Sequence, residues 1–200
     1  MSTGPSAARF DRAWLLDAAS YHFDDLPENA RDAAWLVLCA HGTSFEILPD
    51  EPRFAKVADL TSESSEYGWE VTSGTCADPI VLLRGDGFQP GGVETVDIPG
   101  TTVAFHGVSY VLTDTDLAEV DALGVNQVRH ELEAEGKSTV IGHLADWRIP
   151  WAGDLDHDGR LDLIVRQNEA ARLTTSLFLS SAARNGQLVG KVAEIARGGC

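Results

Sequence analysis

What most constrains this chain is how often it is interrupted. "AAWLVLCA", "SFEIL", "FAKVADL", "YGWEVT", "PIVLLRG", "VETVDI", "TTVAFHG" and "VSYVLT" are short runs rich in branched and aromatic residues, separated by clusters of Gly, Pro, Asp or Ser. Such side chains pack well on a pleated surface, and the breakers arrive too soon for long helices. Each run is therefore read as a strand. Between Val125 and Leu144 good helix formers in "RHELEAE" compete with Val125, Val128, Val140 and Ile141, and the break "EGK" decides for a hairpin with Gly136 in its turn. Near the end, "LTTSLFLSS" and "QLVGKVAEIA" read as two more strands, joined by the turn signal "RNG" at Arg184 to Gly186.

One segment departs from this rhythm. In "RFDRAWLLDAAS" the apolar Phe10, Trp14, Leu15 and Ala18 recur at intervals of three and four, which predicts a short amphipathic helix. The expected architecture is mainly β: an antiparallel sandwich or barrel-like domain with one or two short helices. A length of 200 residues, 44% of them hydrophobic, is enough to bury a substantial core. No Pro-rich or Ser-rich linker divides the chain, so residues 1–200 are read as a single domain.

The strangest stretch is "WAGDLDHDGRLDLIV", Trp151 to Val165. Asp154, Asp156 and Asp158 alternate, Gly159 follows, and Asp162 comes three residues later. Four carboxylates so close together repel one another unless a cation compensates them. Calcium takes six to eight oxygens at about 2.3–2.6 Å, and a loop of alternating aspartates around a glycine can supply them. The ligands expected are the side chains of Asp154, Asp156, Asp158 and Asp162, and the backbone carbonyl of Arg160. An EF-hand would carry Glu at its twelfth place, where this chain has Val165, and a helix would follow. Instead "LDLIV" alternates as a strand, with Leu161, Leu163 and Val165 on one face and Asp162 and Ile164 on the other.

With these residues in view, "GDLDHDGRLDLIV" resembles the calcium loop of FG-GAP or VCBS-type repeats, as in integrin α-subunit propellers. A propeller repeats its blade, whereas "DTDLAEVD", the other acidic stretch, lacks the glycine and no second motif occurs. The resemblance thus implies a calcium-clipped hairpin, over residues 147–200, set into another β-fold. The C-terminal part is also similar to uncharacterised secreted or lipoprotein-like bacterial proteins. That similarity implies an extracytoplasmic place, periplasmic, secreted or surface-anchored, with the leader absent from this sequence.

The charge limits the partners. With 31 acidic and 15 basic residues the formal net charge is -16, which disfavours nucleic acid and anionic membrane surfaces. No apolar run is long enough to span a bilayer as a helix. Cys39, Cys76 and Cys200 allow one disulfide in three possible pairings, and a buried free thiol suits Cys39 equally well.

Other motifs carry less. "RGD" at Arg84, Gly85 and Asp86 is only three letters between two strands. His22, His41, His106, His130, His143 and His157 show no paired metal spacing, and no C-x-x-C is present. "CAHGTSF" brings Cys39, His41, Thr43 and Ser44 together without a nucleophile elbow. Trp147 and Trp151 are expected to pack beneath the hairpin. The expected function is a calcium-binding, non-enzymatic β-domain with a structural Ca2+ site and a surface for a protein or glycan partner. The alternatives are a hydrolase whose catalytic groups converge from distant positions, and an inhibitor or immunity-type protein.

Overall fold

The computed structural model describes residues 13–58, 67–98, 100–120, 126–169, 172–184 and 186–198. In chain order its strands are β1 (Trp14–Leu16), β2 (Ser20–Tyr21), β3 (Trp35–His41), β4 (Ser44–Asp50), β5 (Arg53–Ala58), β6 (Tyr67–Thr72), β7 (Pro79–Arg84) and β8 (Gly91–Thr95). They continue with β9 (Thr102–Phe105), β10 (Val108–Val120), β11 (Asn126–Ala134), β12 (Lys137–Gly142), β13 (Trp147–Asp154), β14 (Asp162–Glu169), β15 (Arg172–Leu179) and β16 (Gly190–Gly198). A 3₁₀ turn at Ser180–Ala182 follows β15, and no α-helix occurs among the described residues.

Nine strands form the main sheet, in the order β1-β7-β3-β4-β8-β13-β14-β15-β16. Every neighbouring pair in it is antiparallel. Because nine is odd, β1 and β16 must run in the same direction, so no antiparallel ladder can join them. They nevertheless lie against each other, and the sheet is a nearly closed barrel. Side chains do the joining at this seam, as Asp17 shows below.

The two faces of the sheet explain the apolar runs. Along β14, Ile164 enters a cluster inside the barrel with Val37, Leu82, Trp151, Leu155 and Leu177. Its neighbours Leu163 and Val165 point outward, where a four-stranded sheet in the order β12-β11-β10-β9 covers them with Val103, Phe105, Leu112, Leu132 and Ile141. A strand buried on both faces reads as continuous aliphatics. Each such Leu or Ile contributes about 1.5–3 kcal/mol by leaving water. A three-stranded sheet, β2-β6-β5, adds Tyr21, Trp69 and Val71 to the inner cluster.

Two hairpin tips of the four-stranded sheet have left-handed backbones. Glu135 and Gly136 have φ of 51° and 72° between β11 and β12, the two-residue turn expected from "EGK". His106 and Gly107, with φ of 46° and 82°, make the same turn between β9 and β10.

The amphipathic helix expected around Phe10 to Ala18 is not formed where it can be seen. Trp14, Leu15 and Leu16 are the strand β1, paired with Arg84, Leu83 and Leu82 of β7, while Phe10 to Arg12 lie outside the described residues. The three-and-four spacing of apolar residues is outweighed by a ladder that buries Leu15 and Leu16 at the seam of the barrel. The cysteine question is also answered. Cys39 and Cys76 form a disulfide with Cα atoms 5.8 Å apart, and Cys200 lies outside the described residues.

Candidate metal centre

The aspartate loop joins β13 to β14, which pair from Gly153 and Asp162 outward. Gly153 lets this hairpin pass close to β8: a Cβ there would lie 2.0 Å from the Glu94 carbonyl oxygen and 2.7 Å from the Trp151 ring. The alternation of β13 and β14 carries apolar residues to both cores, so the loop between them closes at the rim, where its aspartates turn inward. Asp154, Asp156 and Asp162 are all buried, with exposures of 6%, 7% and 0%.

These three carboxylates converge, each with one oxygen within 4.8 Å of the others. Oxygens around a single calcium ion, at about 2.3–2.6 Å from it, lie no more than about 5 Å apart, so the spacing suits one cation. Asp158 is not one of the three. Its Oδ1 accepts the Arg160 amide at 2.9 Å and its Oδ2 accepts the Ser180 hydroxyl at 2.6 Å.

Most oxygens in the group already have donors. Asp154 accepts the amides of Asp158 and Gly159 through its two oxygens, at 3.0 and 2.9 Å. Asp162 accepts Leu155 N–H at Oδ2 and Ser180 N–H at Oδ1, both at 2.8 Å. Asp156 accepts the Ser181 hydroxyl at Oδ2. Its Oδ1 is buried and has no hydrogen-bond partner. A buried charged oxygen without a partner is costly, and a cation is what would compensate it.

No family model, curated protein or solved structure matches the chain. The site is accordingly read from its own geometry and charge.

Burial pushes the Asp162 carboxyl well above the ordinary carboxylate range, and the charges of Asp156 and Asp158 push the same way, against the pull of the Ser180 and Leu155 amides. Asp156 is likewise raised, first by burial, then by Asp158 and Asp154, with the Ser181 hydroxyl opposing. Carboxyls crowded out of water favour the proton; a metal ion in the same place would reverse that preference.

The loop is also tied to the four-stranded sheet. His106, at the β9–β10 tip, meets the Gly159 carbonyl through Nδ1 at 2.9 Å and Glu94 of β8 through Nε2 at 2.8 Å. Ser180, Ser181 and His106 were not evident as site residues from the sequence. The hydroxyl pair that ends "LFLSS" and the "HG" tip are ordinary signals, and only the barrel brings them to the loop.

The other sequence candidates have structural duties. Cys39 is taken up by its disulfide, and the Ser44 hydroxyl donates to the His41 carbonyl within its own turn. Buried His130 faces Asp114 at Nδ1 and the Leu144 carbonyl at Nε2, both at 2.7 Å, and stacks on Trp147, so both ring nitrogens are engaged within the fold. Trp151 is buried in the barrel. Arg84 of "RGD" lies over the Trp14 ring at 6.0 Å.

Proposed function

We propose that the chain is a calcium-binding β-domain of an extracytoplasmic protein, whose ion is structural and whose outer surface engages a protein or glycan partner. The observation that carries the calcium reading is the buried, unpartnered Oδ1 of Asp156 within the group formed with Asp154 and Asp162. These three side chains hold the ion, with the Arg160 carbonyl and water filling the further positions that calcium takes. The chemistry is that of a hard-cation site: carboxylate oxygens only, without imidazole or thiolate in the group.

The ion neutralises a buried cluster and braces the β13–β14 loop against the end of β15. Its contribution to stability grows with the logarithm of calcium concentration over the dissociation constant. An oxidising compartment is supported by the Cys39–Cys76 disulfide.

The test is calorimetric titration of calcium into chelator-treated protein, with thermal melts in calcium and in chelator. Saturable binding of one ion with a raised melting temperature is expected. Absence of binding, with identical melts, overturns the reading and leaves the loop as an acidic turn.

A further inference from the structure

Two consecutive residues far along the chain from the aspartate loop touch three of its four aspartates. The Ser180 amide donates to Asp162 Oδ1 at 2.8 Å, the Ser180 hydroxyl to Asp158 Oδ2 at 2.6 Å, and the Ser181 hydroxyl to Asp156 Oδ2. Both serines belong to the 3₁₀ turn that ends β15, and they lie 18 to 25 positions beyond their partners.

From this arrangement we infer that Ser181 and Ser180 are positioning residues of the cation site: Ser181 holds Asp156 by Oδ2 so that Oδ1 alone meets the ion, and Ser180 holds Asp158 outside the inner set. The inference rests on the calcium reading above and deepens it.

The reasoning concerns the carboxylate torsion. An aspartate side chain turns easily about its last bond, and either oxygen can face a ligand. A hydroxyl bonded to one oxygen of Asp156 selects the other, and that other oxygen is the buried one without a partner. Asp158 differs in that its carboxylate is not among the three that converge; Ser180 and the Arg160 amide hold its two oxygens instead. It therefore supports the loop and adds negative potential without ligating. Hydrogen bonds to ligating carboxylates orient them in advance, and losing one commonly weakens metal binding about 10–100-fold.

The turn that carries the serines is itself held in place. At Gly190, where β16 begins, a Cβ would lie 2.3 Å from the Ala182 carbonyl oxygen, so the start of β16 presses directly on the turn. The distal wall of the site is therefore built by the last hairpin.

The experiment titrates calcium calorimetrically into chelator-treated wild type, Ser181→Ala, Ser181→Thr, Asp158→Asn and Asp156→Asn, with melts of each in chelator. Ser181→Ala is expected to weaken calcium binding about 10-fold or more, while melting in chelator as wild type does. Ser181→Thr keeps the hydroxyl and restores affinity. Asp158→Asn retains binding and Asp156→Asn loses it. Wild-type affinity in Ser181→Ala overturns the inference alone, as does an equal loss in Ser181→Thr or a loss in Asp158→Asn as complete as in Asp156→Asn. A wild type that binds no calcium overturns the calcium reading and this inference together.

Discussion

Asp17, just beyond β1, and Arg166 on β14 meet at 2.8 Å although they stand 149 positions apart in the chain. The same Arg166 nitrogen donates to the Ile80 carbonyl on β7 at 2.7 Å, and the Thr175 hydroxyl of β15 donates to Asp17 at 2.7 Å. Arg197 of β16 stands 3.8 Å from the same carboxylate. One buried aspartate thus joins β1 to β14, β15 and β16, at a seam where strand direction forbids an antiparallel ladder.

Removing one partner of this pair leaves the other charge buried. Asp17→Ala is expected to cost about 3–5 kcal/mol, measured by urea unfolding. The double replacement Asp17→Leu with Arg166→Met is expected to cost less than the sum of the single changes. Strictly additive losses would show that the two residues do not stabilise each other.

Asp156 and Asp162 are expected to separate metal binding from folding. Asp162 accepts two backbone amides, and in Asp162→Asn the amide nitrogen must face one of them. That variant should lose about 1–3 kcal/mol even in chelator. Asp156→Asn removes the charge of the unpartnered oxygen, so it should melt in chelator close to wild type yet gain nothing from calcium. Equal melts of the two variants in chelator would contradict this division.

The disulfide closes a loop with a sequence separation of 37 between Cys39 and Cys76. Constraint of the unfolded chain by a loop of this length is worth about 2–4 kcal/mol. Reduction, or the double change of Cys39 and Cys76 to Ser, should lower the melting temperature by a corresponding amount. Melts with and without reductant that coincide, with reduction verified by thiol titration, would refute this.

His106 links the four-stranded sheet to the loop in a pH-dependent way. The bond with Glu94, then the Gly159 carbonyl, raises its pKa above the ordinary value of 6.5. A raised folded value means that the contribution is complete below about 6.5 and is lost as pH climbs through the folded value. Resonance of the His106 ring should titrate with a midpoint above 6.5, and Glu94→Gln should bring the midpoint down. A wild-type midpoint at or below 6.5 would exclude the clasp.

Much of the strand layout was legible because β-branched runs and breakers act locally. "WLVLCA", "YGWEVT" and "PIVLLR" lie in β3, β6 and β7, and "EGK" turns where glycine makes a left-handed backbone easy. The segment around Trp14 misled, because the spacing of Phe10, Trp14, Leu15 and Ala18 fits a helix face while Trp14 to Leu16 also suits a short strand. The two faces of β14 were legible in "LDLIV", whose alternation assigns Leu163 and Val165 to one side and Ile164 to the other, but that each face meets its own core was shown by the structure.

By itself the sequence determined that this chain is mainly β and that a loop from Asp154 to Asp162 carries carboxylates in register around a glycine, since both depend on neighbours within a few residues. Only the tertiary structure decided which three aspartates converge, that Asp158 turns to Ser180, and that Asp17 ties the barrel at its seam. Those choices depend on contacts between residues from 18 to 158 positions apart or more, which are set by strand order and barrel curvature and leave no local periodicity to read.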